Sequence, residues 1–273
     1  MKAPSREPIM PRFSVNLTFL FQEYAFLDRI AMAREQGFEA VEFMYQPDQS
    51  PAAIAAALRD NGMQLVLMNT PAGNFEAGER GLACLPAQRQ AFRTSILRAI
   101  EVATATACPR LHVMAGVEPP GADRRALQAC FLDNLAWAAE QAAKAKLTLL
   151  LEPINRRDIP GYFLHDYDVA ERILAEMALP HLRLQFDMYH VQVVHGDVSK
   201  RLQRQLPLIE HIQIANPPDR REPGRGELNY DFLLQSLDEL GYAGWVGCEY
   251  RTPGPTAESL GWIRPWGVLP LKR

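Results

Sequence analysis

The sequence predicts a single (β/α)8 barrel, an α/β fold of eight parallel strands ringed by helices. Three observations carry that prediction. Short apolar runs alternate with amphipathic helical stretches along the whole chain. The length of 273 residues suits one such barrel, which takes about 250. A doubly wound open sheet would place a glycine-rich phosphate loop after its first strand, and NLTFLFQEY contains no glycine.

The elements follow in order. RFSVNLTFLF reads as the first strand running into a loop, and YAFLDRIAMAREQG as the first helix. In that helix Phe26, Leu27, Ile30 and Ala31 share a face, and Gly37 ends it. EAVEFMY is the second strand. SPAAIAAALRDNG is a helix capped by Ser50, with Pro51 in its first turn and Gly62 after it. MQLVLMN is the third strand. The loop TPAGNFEAGERGLACLP is too long for an ordinary strand–helix joint, which marks it as functional. A helix over 86–107 leads to the fourth strand, RLHVMAG, and an alanine-rich helix over 122–145 to the fifth, LTLLLEP. After the loop INRRDIPGYFL come a helix over 166–178 and the sixth strand, LRLQFD. A short helix over 198–206 precedes HIQIA, the seventh strand. The loop NPPDRREPGRGE, the helix YDFLLQSLDELG, the eighth strand WVGCEY and a helix over 256–264 complete the set. Residues 1–10 are expected to be an N-terminal tail, 11–266 the barrel and 267–273 a C-terminal tail. Trp262 and Trp266 have two readings, packing on a second subunit of a homo-oligomer or covering the barrel floor.

Composition narrows the function classes. The chain is 48% hydrophobic and 22% charged, with net charge −3, as expected of a globular domain with a large core. No basic stripe of the kind nucleic-acid binding needs is present. No apolar run approaches the roughly 18 residues of a membrane span, and LTFLF is too short for the apolar core of a signal peptide. The four cysteines form no CxxC or zinc spacing, which places the chain in a reduced, cytoplasmic setting. No Walker, GxSxG or HExxH pattern occurs.

Chemistry concentrates at the ends of the later strands. LTLLLEP, LRLQFDMYH and WVGCEY end on Glu152, Asp187 and Glu249, and HIQIA carries Gln213. They recur at about the length of one strand–helix–strand unit. In a parallel barrel such positions converge at one mouth. Three carboxylates and an amide oxygen crowded together repel unless a cation sits among them, and hard oxygen donors favour Mg²⁺ or Mn²⁺. Asn16, Glu42, Asn69 and His112 are polar positions late in the earlier strands; Glu42 and Asn69 are candidates for substrate contact. His190, on the loop after the sixth strand, is expected to touch substrate or buttress a ligand. His211 is expected one layer deeper. Arg220, Arg221 and Arg156 are candidate handles for an anionic substrate. A metal flanked by two glutamates suits proton transfer beside a carbonyl, with Glu152 and Glu249 as the acid–base pair.

The segments RFSVNLTFLF, GFEAVEFM, NTPAGNFEAGERGLACLP, LLLEPIN, QFDMYH, HIQIA, EPGRGELNYDFL and GYAGWVGCEY resemble the hydroxypyruvate isomerase family of xylose-isomerase-like TIM barrels. The likeness runs from about residue 11 to 262. It implies interconversion of hydroxypyruvate and 2-hydroxy-3-oxopropanoate (tartronate semialdehyde). It also implies proton-transferring glutamates at Glu152 and Glu249, and metal ligands at Glu152, Asp187, Gln213 and Glu249. The 2-oxo-tetronate isomerases share most of these motifs; HVMAGVEP and NPPDRREP lean toward them, while NTPAGNFEAGERGLACLP and LEPINRRDIPG lean toward hydroxypyruvate isomerase. The loop NPPDRREPGRGE leaves Arg220 and Arg221 both open as its inward arginine. A ketose 3-epimerase on the same barrel is the other isomerase reading, but such epimerases usually have a histidine where this chain has Gln213. A barrel endonuclease needs clustered histidines and a basic face, which this chain lacks. The expected partner is thus a small hydroxy-oxo acid, without nucleic acid or membrane.

Overall fold

The computed structural model describes residues 11–271. The expected N-terminal tail, 1–10, lies outside the described residues. The strands are β1 (Arg12–Asn16), β2 (Ala40–Met44), β3 (Gln64–Asn69), β4 (Arg110–His112), β5 (Thr148–Leu151), β6 (Leu182–Asp187), β7 (Ile209–Ile214) and β8 (Trp245–Cys248). All pair in parallel, in sequence order, and β8 closes onto β1 with Ser14 opposite Gly247. The helices on the outside are α1 (Phe26–Glu35), α2 (Pro51–Asp60), α3 (Arg89–Ala105), α4 (Arg124–Lys144), α5 (Tyr167–Met177), α6 (Met188–Val194), α7 (Val198–Gln205), α8 (Tyr230–Glu239) and α9 (Thr256–Ser259). The (β/α)8 barrel expected from the sequence is therefore the fold.

Local chemistry sets the helix starts. Ser50 Oγ accepts from the Ala53 amide and Pro51 opens α2, as the sequence predicts. Asp123, Asp166 and Asn229 cap α4, α5 and α8 in the same way. One helix was not expected. The sequence places His190 on a loop, but α6 starts directly at the tip of β6. Asp187 is its cap, accepting from the Tyr189 amide at 2.8 Å. The β-branched run VQVV masks a helix that is only 7 residues long.

The core has two shells. Leu, Val, Ile and Phe side chains of the strands pack outward against the helices, with Phe43, Phe92, Phe131, Phe186 and Tyr167 fully buried. The barrel interior near its mouth is instead polar: Ser14, Glu42, Gln185, His211 and Gln213 are all at 0% exposure. Trp262 lies edge-on to Phe13 with ring centres 5.7 Å apart, so it packs within its own chain. Residues 267–271, expected as a tail, run against α1: the Leu271 amide donates to Glu35 O at 2.9 Å. Gly37 (φ +94°) permits that approach, because a Cβ there would overlap Leu269 O. No helix among the described residues is long and apolar enough to cross a membrane.

Candidate active site

The site is built in two tiers at the carboxyl ends of the strands. The lower tier centres on Glu42 of β2. The sequence suggested a substrate contact for Glu42, but the closed barrel places it beneath the mouth, fully buried. Ser14 Oγ donates to it at 2.8 Å, His211 Nε2 lies at 2.7 Å, Gln213 Nε2 donates at 2.7 Å and Asn16 Nδ2 at 3.3 Å. Burial alone would raise its carboxyl; the charge of His211 and the hydrogen bonds of His211, Gln213 and Ser14 outweigh burial and hold it below the ordinary range. Gly247 of β8 makes the room, since a Cβ there would collide with both carboxylate oxygens.

The upper tier holds the predicted acids. Glu152, Asp187 and Glu249 follow or end β5, β6 and β8 and meet within one neighbourhood. Burial and the negative charges of Glu249 and Asp187 push the Glu152 carboxyl far upward. Burial also raises Asp187 and Glu249, with Arg220 opposing it in both. Arg220 is the arginine that turns inward. Its Nη2 donates to Glu249 Oε1 at 2.6 Å and to Asp187 Oδ2 at 3.3 Å, and its Nη1 to Asp158 Oδ2 at 3.2 Å. A left-handed backbone (φ +55°) at Arg220 aims it there. Arg221 instead pairs with Glu222 and Arg156 with Glu118, and neither lines the cavity.

Glu152 is handled differently from its neighbours. Its Oε2 lies 3.3 Å from His112 Nδ1, and His190 Nε2 is 3.8 Å from its Oε1, an atom with no hydrogen-bond partner. Burial keeps His112 neutral, its imidazole pushed down to about 3. Burial, then the charge of Arg220, lowers His190 as well. Asn69 Nδ2 meets His112 Nδ1 at 2.9 Å, so the predicted Asn69 reaches the site through His112 while also lining the cavity.

The donor set suits a hard divalent cation. Oxygen atoms of Glu152 and Asp187 and a ring nitrogen of His190 lie within 4.8 Å of one another, and the unpartnered Glu152 Oε1 is a buried acceptor that a cation would satisfy. Two of these residues need comment: His190, expected to touch substrate or buttress a ligand, and Gln213, an expected ligand. The Asn155 amide faces His190 Nδ1 at 3.4 Å and its side-chain nitrogen at 2.7 Å. Nδ1 is thus the acceptor, and Nε2 carries the proton toward Asp187 Oδ2, 3.5 Å away. That favours His190 as a hydrogen-bond donor. Gln213 turns its nitrogen toward Glu42 and Glu249, while its oxygen accepts from Gln185 at 2.6 Å. The amide has to rotate to present oxygen at the mouth.

Above these groups is a cavity of about 340 Å³ lined by Glu152, Glu249, His190, Asn69, Arg220 and Asp158, with Phe19, Met44, Phe75 and Ile154 as apolar walls and Arg80 and Arg251 also bordering it. Asp158, Asn155, Arg80 and Arg251 were not singled out from the sequence. Asp158 had a signal, as the only acid in the segment INRRDIPGYFL.

A family profile described as "Xylose isomerase-like TIM barrel" matches residues 30–266. The chain belongs to that family. It is 48% identical over 257 residues to a 2-oxo-tetronate isomerase of Cupriavidus necator, covering 94% of this chain and 99% of that protein. It is 38% identical to the hydroxypyruvate isomerase of Escherichia coli, covering 94% and 100%. Among solved structures, a Brucella melitensis protein described as an AP endonuclease of family 2 superposes with TM-score 0.91 at 40% identity, over 94% of this chain and 99% of that one. L-ribulose 3-epimerase shares the fold at TM-score 0.73 and 20% identity.

Proposed function

We propose that this isomerase moves a carbonyl between adjacent carbons of a short acid, converting a 2-oxo-3-hydroxy acid to its 2-hydroxy-3-oxo isomer. Hydroxypyruvate is the three-carbon case and a 2-oxo-tetronate the four-carbon case. The carrying observation is that Glu152 and Glu249 line one small cavity with both carboxyls raised by burial, so that one can hold a proton near neutral pH while the other is ionised.

One glutamate takes the C3 proton, leaving an enediol across C2 and C3. The other returns a proton to C2, and the C3 hydroxyl becomes the new carbonyl as its proton passes to O2. A divalent cation, when bound, supplies Lewis-acid polarisation of the carbonyl oxygen; Glu152, Asp187, Glu249 and a rotated Gln213 would hold it. His190 offers its Nε2–H to a substrate oxygen, oriented by Asn155. Arg220 bridges Asp187 and Glu249 through its Nη2 and holds both in place. Apolar walls exclude water from the enediol. The four-carbon reading is favoured by the 48% identical relative. The cavity's acid-lined floor and the net charge of −3 speak against a polyanionic substrate such as DNA.

Solvent exchange tests this reading. In D₂O with Mg²⁺ or Mn²⁺, the chain should wash deuterium into hydroxypyruvate or 2-oxo-tetronate, and Glu152→Gln and Glu249→Gln should each lose the exchange. Retention by both variants removes the two-glutamate mechanism. Comparing kcat/KM on the two acids decides the carbon number.

A further inference from the structure

Three arginines border the cavity: Arg80, Arg220 and Arg251. Their guanidinium groups are in different states. Arg220 is buried and committed, with Asp158, Asp187 and Glu249 all on it. Arg80 is half-buried; its Nη1 donates to Phe75 O at 2.8 Å and Glu79 O at 2.7 Å, and its guanidinium lies 3.5 Å over the Phe75 ring. Arg251 is exposed, and among the described residues no side chain pairs with its guanidinium. Its backbone, however, is held, the amide donating to Arg220 O at 2.7 Å.

The chain after β8 explains why Arg251 matters. The strand stays extended beyond Cys248, with the Glu249 amide on Ile214 O and the Arg251 amide on Arg220 O. Side chains two apart share a face. Gly247, Glu249 and Arg251 therefore form an inward ladder that climbs from buried floor to exposed rim. Tyr250 points the other way, its hydroxyl at 3.0 Å from Ser259 Oγ. Glu23, the acid that borders Arg251's other side, is taken up by Thr256 through both carboxylate oxygens.

A floor bearing Glu42, Glu152, Asp187 and Glu249 repels an anion. A carboxylate can enter only with its charge turned away from that floor and met by a cation whose donors are free. We propose that Arg251 is the residue that grips the substrate's carboxylate, with Arg80 on the opposing loop as its helper, so that the acid's C2 and C3 point down at Glu152 and Glu249. This deepens the isomerase reading, on which it rests for the substrate class. It also explains why an acid would be chosen over the neutral sugar of the same length, since Arg220 has no free donor fork to offer.

The test uses D-glycerate, an unreactive acid of the substrate's length, and neutral dihydroxyacetone as its counterpart. Binding to the Mn²⁺-loaded protein is followed by calorimetry for the wild type, Arg251→Met, Arg251→Lys and Arg80→Met. Arg251→Met should weaken glycerate by roughly 10- to 100-fold, the scale of a lost charge-assisted pair. Arg251→Lys should recover part of it, Arg80→Met should weaken it less than Arg251→Met does, and dihydroxyacetone and Mn²⁺ affinities should stay unchanged in Arg251→Met. Wild-type affinity for glycerate in Arg251→Met overturns the assignment, as does an equal loss for the neutral ligand. Glycerate binding that depends on Arg251, in a protein that turns over neither acid, leaves the assignment standing and removes the isomerase reading.

Discussion

Gly247→Ala isolates the lower tier of the site. The backbone of Gly247 is not left-handed, so alanine brings no conformational penalty beyond its methyl group. That methyl would press on both carboxylate oxygens of Glu42. Glu42 has nowhere to retreat: it is fully buried and held by Ser14, Asn16, His211 and Gln213. Displacing it separates a buried carboxylate from His211 at 2.7 Å and frees two amide donors. Breaking a buried pair of this kind costs about 3–5 kcal/mol, which at this chain length lowers Tm by about 10 °C.

The reasoning is checked by a double-mutant cycle in urea. Glu42→Ala removes the colliding oxygens, at a cost of its own of about 3 kcal/mol. In that background Gly247→Ala should cost less than about 1 kcal/mol, because its methyl now enters vacated space. The coupling is then about 2–4 kcal/mol, well above the scatter of independent sites. Additive effects within about 0.5 kcal/mol would show that the two residues do not meet, and the placement of Glu42 beneath the mouth would be wrong.

Other expectations follow from particular groups. Hydrogen bonds from Arg201, with help from Arg204, hold the Asp168 carboxyl down to about 2. Its folded value lies below the ordinary one, so the stability it lends is full above about pH 4 and lost as pH falls through about 2. The stability gap between wild type and Asp168→Asn should therefore be constant at neutral pH and shrink between pH 4 and 2; a gap that persists at pH 2 refutes the pairing. Cys84, Cys108, Cys130 and Cys248 are all buried free thiols, and burial pushes Cys84 and Cys108 up to about 12. A thiol reagent should label none of them in the native protein and all of them in denaturant. Chelation should abolish turnover, Mn²⁺ or Mg²⁺ should restore it, and Asp187→Asn should weaken Mn²⁺ binding at least tenfold, read by calorimetry without substrate.

The barrel and its acidic mouth were legible because both rest on sequence periodicity. Strand-length apolar runs recur at the length of a βαβ unit, and Glu152, Asp187 and Glu249 fall at the tips. Depth was not legible. The pleat of AVEFM turns Glu42 inward, but its level depends on β2 pairing Glu42 with Asn16 and on β8 offering a glycine there, which are partners distant in sequence. Arg220 and Arg221 are chemically identical, and the choice between them rests on the left-handed residue 220 and the Asn216–Arg221 bridge. Arg251 went unnoticed because its role is defined by having no partner, and absence of a partner is a property of the folded surroundings.

Allocation of partners also separates the roles of the acids, which residue counting could not do. Five carboxylates share the mouth and the tier below it, Asp158 among them, and the folded chain divides a few partners between them. His211 serves Glu42, and Arg220 serves Asp187 and Glu249. Glu152 is left facing His112 and His190, both kept neutral by burial, with one oxygen unpartnered. It is the acid whose charge the folded chain balances least, so it has most to gain from a proton or a cation. A proton carrier needs that poise between states, whereas Glu42, with its carboxylate fixed by four hydrogen-bonding neighbours, is built to stay ionised and still.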